Sequence, residues 1–162
     1  MRETTCLRCK KTFGSENGLV PAKICQTCLN SLPLHSDEEI SFFLESLDLP
    51  AAFISRDFGI RLSNSSLNKM VNRLTPDLLG ARIGEALECA YETEHRNCGE
   101  TQICLQCGVR RMVDLARITG YRLVDIPITL RSKSGNERRL LFTFAKAGEA
   151  ILILLKSAEG SN

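Results

Sequence analysis

Apolar residues after Ser36 recur at helical spacing. Ile40, Phe43, Leu44 and Leu47 lie three or four positions apart, the repeat that gathers side chains on one helix face. Ser36-Asp37-Glu38-Glu39 ahead of them reads as a capping box, with Ser36 as the cap and Glu39 reaching back to it. Pro50 predicts the end of that helix. Beyond it the period shortens, and Ala51–Ser55 and Ile60–Asn64 read as strands around the turn Arg56-Asp57-Phe58-Gly59. Ser65 or Ser66 is expected to cap a short helix through Leu67, Met70 and Val71. Thr75-Pro76-Asp77 opens a helical turn up to Gly80, and Ile83–Cys89 forms another short helix. From Cys104 to Arg117, the residues Leu105, Val109, Met112, Val113 and Ala116 make the apolar stripe of a longer helix, closed by Gly120.

The last part of the chain alternates as strands do. Tyr121–Leu130, Glu137–Ala145 and Ala150–Leu155 are separated by Ser132-Lys-Ser-Gly-Asn136 and Lys146-Ala-Gly148, which predicts an antiparallel meander of two hairpins. The last strand is apolar at nearly every position and so belongs in mid-sheet, covered on both faces. Residues 1–34 differ. Their large apolar side chains are few (Phe13, Leu19, Val20, Ile24, Leu29, Leu32 and Leu34 among them), and a segment this poor in core material needs a staple. With Leu32-Pro33-Leu34-His35 as a hinge, the chain divides into a small module, 1–34, and a larger domain, 36–157, with a cysteine-rich insert at 89–107.

Composition narrows the function. Over 162 residues, 43% hydrophobic and 25% charged content is that of a globular protein. A formal net charge of +2 gives no bulk attraction to nucleic acid or membrane. The apolar run Ala150–Leu155 is too short to span a bilayer, and MRETTCLRCK contains no signal-peptide core. A cytoplasmic protein without membrane contact is therefore expected. In that compartment thiols stay reduced, and closely spaced cysteines are read as metal ligands. The eight cysteines fall into two quartets, and four thiolates are what a tetrahedral ion or an iron–sulfur cluster requires.

The first quartet is Cys6-x2-Cys9-x15-Cys25-x2-Cys28. Each tight turn aims two sulfurs at one ion, and the long loop brings the second turn back to complete a tetrahedron. This pattern predicts structural Zn2+, and the segment resembles a zinc ribbon or knuckle, although Lys10 and Leu29 stand where common ribbons carry glycine. Arg2, Arg8, Lys10, Lys11 and Lys23 against Glu3 and Glu16 make the module modestly basic. A nucleic-acid-binding finger is therefore the alternative to a structural or protein-binding one.

The second quartet is spaced Cys89-x8-Cys98-x5-Cys104-x2-Cys107. Cys104 and Cys107 are expected on one side of the start of the long helix, where free amides and the dipole favour thiolates. Cys98 sits in a polar loop with Glu92, Glu94, His95, Arg96 and Glu100 that needs a ligand to order it. Zinc would pin the loop, whereas an iron–sulfur cluster would make it responsive to oxygen, nitric oxide or redox poise. A thiol/disulfide pair at Cys104-Leu-Gln-Cys107 is a third possibility.

The order helix, two strands, short helices, three strands resembles that of PAS domains. Leu49–Ser55, Ile60–Asn64 with the helix after it, Leu79–Leu87 and the meander carry the resemblance. It implies an α+β fold: a five-stranded antiparallel sheet with helices on one face. It also implies sensing or dimerisation rather than catalysis, and a cysteine-rich, metal- or cluster-binding variant with Cys89, Cys98, Cys104 and Cys107 as cofactor ligands. The Asn-Cys-Arg-Phe stretch of flavin-binding photosensors is absent, and neither His35 nor His95 lies on the long helix where a haem ligand would. Glu85 and Asp114 read as solvated helix faces, and Arg131, Lys133, Arg138 and Arg139 as the solvent side of a hairpin. No phosphate-binding glycine loop, H-E-x-x-H or kinase signature occurs. The expectation is a non-enzymatic sensory or regulatory protein that acts as a homodimer or on a signalling partner such as a kinase or regulator. A zinc-knuckle nucleic-acid-binding regulator, dimerised by the PAS-like domain, is the alternative. With little chain after the last strand, output is expected through protein contact or the first module.

Overall fold

The computed structural model of the chain describes residues 3–6, 9–14, 25, 27–28, 36–92 and 98–158. The expected hinge and His95 lie outside them. Two short strands come first, β1 (Glu3–Thr5) and β2 (Thr12–Gly14), paired antiparallel with Thr4 opposite Phe13. Then follow α1 (Asp37–Glu45), β3 (Ala51–Ile54), β4 (Ile60–Ser63), α2 (Ser65–Val71), α3 (Thr75–Leu78), α4 (Ile83–Ala86), a 3-10 turn (Ile103–Gln106), α5 (Gly108–Thr119), β5 (Leu123–Arg131), β6 (Glu137–Ala147) and β7 (Ala150–Ser157).

The main sheet has five strands in the order β4-β3-β7-β6-β5, every neighbour antiparallel. β7 is central, as its unbroken apolar run predicts, because a strand with packing on both faces can expose neither set of alternate side chains. Ala52 opposes Ile153, and Phe144 opposes Ile153 from the other side. These join Ile54, Ile151, Val109, Val113 and Leu78 in one core between the sheet and helices α2–α5. The alternate set, Phe53, Leu152, Leu154 and Ala145, enters a second core on the other face with Ile40, Phe43 and Leu44 of α1. The helices on one face are thus α2–α5, while α1 covers part of the opposite face.

Two local expectations change. Ser36 does cap α1, its hydroxyl accepting from the Glu39 amide at 3.2 Å. The cap of α2, however, is Asn64 rather than Ser65 or Ser66. Its Oδ1 accepts from the amides of Leu67 (2.9 Å) and Ala51 (3.0 Å), and its Nδ2 donates to the carbonyls of Leu44 (3.0 Å) and Leu49 (2.8 Å). A serine hydroxyl has one proton and cannot donate to two carbonyls at once, and an amide can. The long helix begins at Gly108, not Cys104. Cys104 lies in the 3-10 turn, and Cys107 is the α5 N-cap at φ −60°, ψ 125°. That extended ψ separates the turn carrying the two cysteines from α5.

Candidate functional site: two cysteine centres on opposite faces of the sheet

The first quartet converges. The sulfurs of Cys6, Cys9, Cys25 and Cys28 all lie within 4.8 Å of one another, and Cys9 Sγ is 3.7 Å from Cys25 Sγ. A tetrahedral ion with bonds of about 2.3 Å holds its sulfurs about 3.8 Å apart, so the set fits a single thiophilic ion. Its local geometry comes from a tight loop: Lys10 N donates to Cys6 O and Cys6 N to Lys11 O, both at 2.9 Å, with Lys10 at φ +60°. The Cys25 amide donates to Cys6 Sγ at 3.4 Å, as amides do around ligated thiolates. Burial, followed by the three neighbouring thiols, pushes the Cys28 thiol up to about 12. Four crowded thiols resist ionising together, and a cation among them reverses that resistance.

The second quartet is arranged differently. Cys89, Cys98, Cys104 and Cys107 all line one cavity of about 580 Å3 between α4, the 3-10 turn, α5 and β5. Yet among the described residues no other group of three metal-ligating atoms closes to within 4.8 Å. The four surround a volume rather than a point.

Each member is held by its own device. Cys89 follows α4, where its amide donates to Gly84 O (2.8 Å) and it bridges to Ser132 at the end of β5. Cys98 packs over Gly84 so closely that a Cβ there would stand 2.4 Å from the Cys98 sulfur. The Cys98 carbonyl accepts from the Arg82 guanidinium, and the next carbonyl, of Gly99, accepts from Arg110 at 3.1 Å. Gly99 takes φ +93°, a turn that suits glycine. Its amide lies 3.3 Å from Cys104 Sγ, and Thr101 Oγ1 lies 3.0 Å from the same sulfur.

These surroundings separate the thiols electrically. Burial pushes Cys89 up and Cys98 up to about 11. Burial also opposes ionisation of Cys104, but the hydrogen bonds from Thr101 and Gly99 and the Arg110 charge outweigh it, and its thiol is lowered. The donor set is therefore four soft sulfurs, one predisposed to be a thiolate, beside a space left open by glycine. None of the eight cysteines is paired in a disulfide.

Sequence reasoning named all eight cysteines but not their supports. Gly84, Arg82, Thr101 and Arg110 carry no metal-ligand signature, and only their spatial neighbours reveal them. Of the side chains expected to face solvent, Glu85 is half-buried and accepts from the Arg82 amide at 3.0 Å, while Asp114 stays 47% exposed beside Arg117 at 3.4 Å. Arg131, Lys133, Arg138 and Arg139 are exposed, as expected; Arg131 also borders the cavity and Lys133 pairs with Glu92.

No helix among the described residues is long and apolar enough to cross a membrane. No family model matches the chain, and no curated protein matches it. Solved structures do. The LOV protein of Rhodobacter sphaeroides is similar over 77% of this chain and 68% of its own, at 13% identity and TM-score 0.54. The PAS domain, in complex with ethanol, of a LuxR-family transcriptional regulator from Burkholderia thailandensis is similar over 77% of this chain and all of its own, at 12% identity and TM-score 0.50. At that identity the likeness concerns architecture alone: the chain has a PAS-like fold, an antiparallel five-stranded sheet with helices, and a cluster of four cysteines near its N-terminus that can hold a metal ion.

Proposed function

We propose that this chain is a sensory or regulatory protein rather than an enzyme, and that its PAS-like domain carries a cysteine-ligated inorganic centre in the cavity. The observation that carries the reading is the placement of Cys89, Cys98, Cys104 and Cys107 around one cavity, with no three of their sulfurs within 4.8 Å of one another. An iron–sulfur cluster suits that set better than zinc, because its metal atoms occupy separate corners and let the thiolates stand further apart. Such a cluster supplies sensitivity to oxidants and diatomic gases.

The chain's own residues do the rest. Gly84 leaves the space beside Cys98, and Arg82 and Arg110 pin the Cys98–Gly99 peptides. Cys107 forms the first cap of α5, so release of its sulfur acts directly on where that helix begins. α5 in turn packs on the sheet through Val109, Val113 and Ala116. Loss of the centre therefore frees residues 89–107 and shifts the surface α5 offers. The output is contact with a signalling partner, a kinase or regulator, or with a second copy of the chain. A LuxR-family regulator with a similar domain supports that role.

Anaerobic purification followed by visible absorption, iron and acid-labile sulfide analysis tests the reading. A coloured protein with iron and sulfide, bleached on exposure to air, is expected. Colourless protein with zinc at both quartets would overturn the cluster.

A further inference from the structure

The first quartet does not stand apart from the larger domain. Cys6 and Cys28 are 0% and 7% exposed, and they share a buried cluster with Ala51, Phe53, Leu152, Leu154, Ala145 and Ala147 of the sheet. Phe13, Cys9 and Cys25 pack against the same cluster. Among the described residues from 3 to 28, Phe13 is the one large apolar side chain. Two strands of three residues each cannot hold themselves on a sheet with one phenylalanine. What gathers this segment is the meeting of four sulfurs.

α1 covers a different part of the same face and has its own anchors. Asn64 holds the Leu44 and Leu49 carbonyls, Glu45 accepts from the Ser65 amide at 2.9 Å, and Asp37 pairs with Arg61 at 3.2 Å. Those partners place α1 toward β4, the edge strand next to β3. Ala145 and Ala147 of β6 lie two strands further across, beyond β7. Both are buried, 3% and 0% exposed, with the cysteine segment in their cluster.

We infer that the first quartet is a metal-operated cover: one thiophilic divalent ion of the zinc class, held by Cys6, Cys9, Cys25 and Cys28, keeps the N-terminal segment seated on the outer face of β6 and β7, and removal of the ion uncovers that face while the core under α2–α5 stays folded. The second half follows from connectivity. Among the described residues, the ladders joining β3, β7, β6 and β5 use none from the segment, and the inner core contains none of its side chains. The inference does not depend on what the cavity holds.

Hydroxyl-radical footprinting of the full chain, read by mass spectrometry residue by residue, tests it. Leu152 and Leu154 report the covered face, and Ile153 and Phe144, on the same strands but facing inward, are the internal reference. Cys28→Ser removes a ligand of the first site and leaves the second quartet intact. Labelling of Leu152 and Leu154 is expected to rise several-fold in C28S, with Ile153 and Phe144 unchanged and far-UV circular dichroism retained. Phe13→Ser, which keeps all four sulfurs, is expected to raise labelling of the outer pair by a smaller factor while zinc stays bound. Unchanged labelling in metal-free C28S would overturn the cover, and so would a joint rise at all four positions, which would make the ion a staple of the whole fold.

Discussion

The two cysteine quartets use the same ligand atom and arrive at different geometries. The first closes its sulfurs to within 4.8 Å, with a 3.7 Å contact between Cys9 and Cys25. The second spreads the same number of thiols around a cavity of about 580 Å3. The first rests on two C-x2-C pairs in a segment whose described residues include one large apolar side chain, Phe13. The second draws its members from the end of α4, a loop, a 3-10 turn and the cap of α5, each with hydrogen bonds of its own. A ligand set assembled by the metal can shrink to one ion's radius. One assembled by a folded domain keeps the spacing that domain imposes, and so selects for a larger group.

The sharpest way to break this contrast is to remove one ligand from each site. Cys28→Ser should abolish zinc retention at the first site, an effect of orders of magnitude in affinity since structural zinc contributes about 10–16 kcal/mol of binding free energy in small modules. The content of the second site should not change, and metal analysis of C28S beside C104S reads both. Equal loss at both sites in either variant would mean the centres are not separate.

Next in size is Asn64→Ala. It leaves the buried amides of Ala51 and Leu67 without their partner and takes a donor from the Leu44 and Leu49 carbonyls, and at about 1–3 kcal/mol for an unsatisfied group the variant should lose at least that much stability in urea unfolding. Because Asn64 ties α1 to β3 and α2, it should loosen both faces of the sheet rather than one.

Gly84→Ala separates them again. The added methyl meets Cys98 Sγ at 2.4 Å, and overpacking of this kind costs about 1–3 kcal/mol. Iron retention should fall while zinc retention at the first site is kept. A G84A protein that loads iron normally would mean Cys98 is not a ligand.

A smaller effect distinguishes thiols within the second site. The Cys104 thiol is lowered below its ordinary value, so in metal-free protein it remains a thiolate at pH values where Cys89 and Cys98 are protonated. Thr101→Val removes the hydroxyl 3.0 Å from its sulfur, and the pH midpoint for Cys104 alkylation should move upward. The smallest change is a control. Arg56–Glu149 is an ion pair 77% exposed on both sides, worth about 0–1 kcal/mol, and Glu149→Ala should alter neither metal content nor the footprint.

Much of the architecture was legible from residues alone. The cap at Ser36, the helical stripe from Val109 to Ala116 and the apolar run of β7 each report a local pattern that survives any tertiary context. Boundaries were less legible. The start of α5 was placed four residues early because Leu105 and Val109 keep helical spacing across a junction where the Cys107 backbone is extended. Asn64 was passed over as a cap because its value lies in three partners distant in sequence, two of them carbonyls at the end of α1.

By itself the sequence determined the number of thiols, their division into two sets, and the unbroken apolar run that makes β7 bury both faces. It did so because ligand spacing and strand period are properties of neighbouring residues. Only the tertiary structure decided that the first set lies against the sheet instead of hanging from a linker, and that the second encloses a volume. Those outcomes depend on which surfaces meet across the fold. No local spacing encodes the distance between a cysteine after α4 and another at the cap of α5, because packing on the intervening sheet sets it.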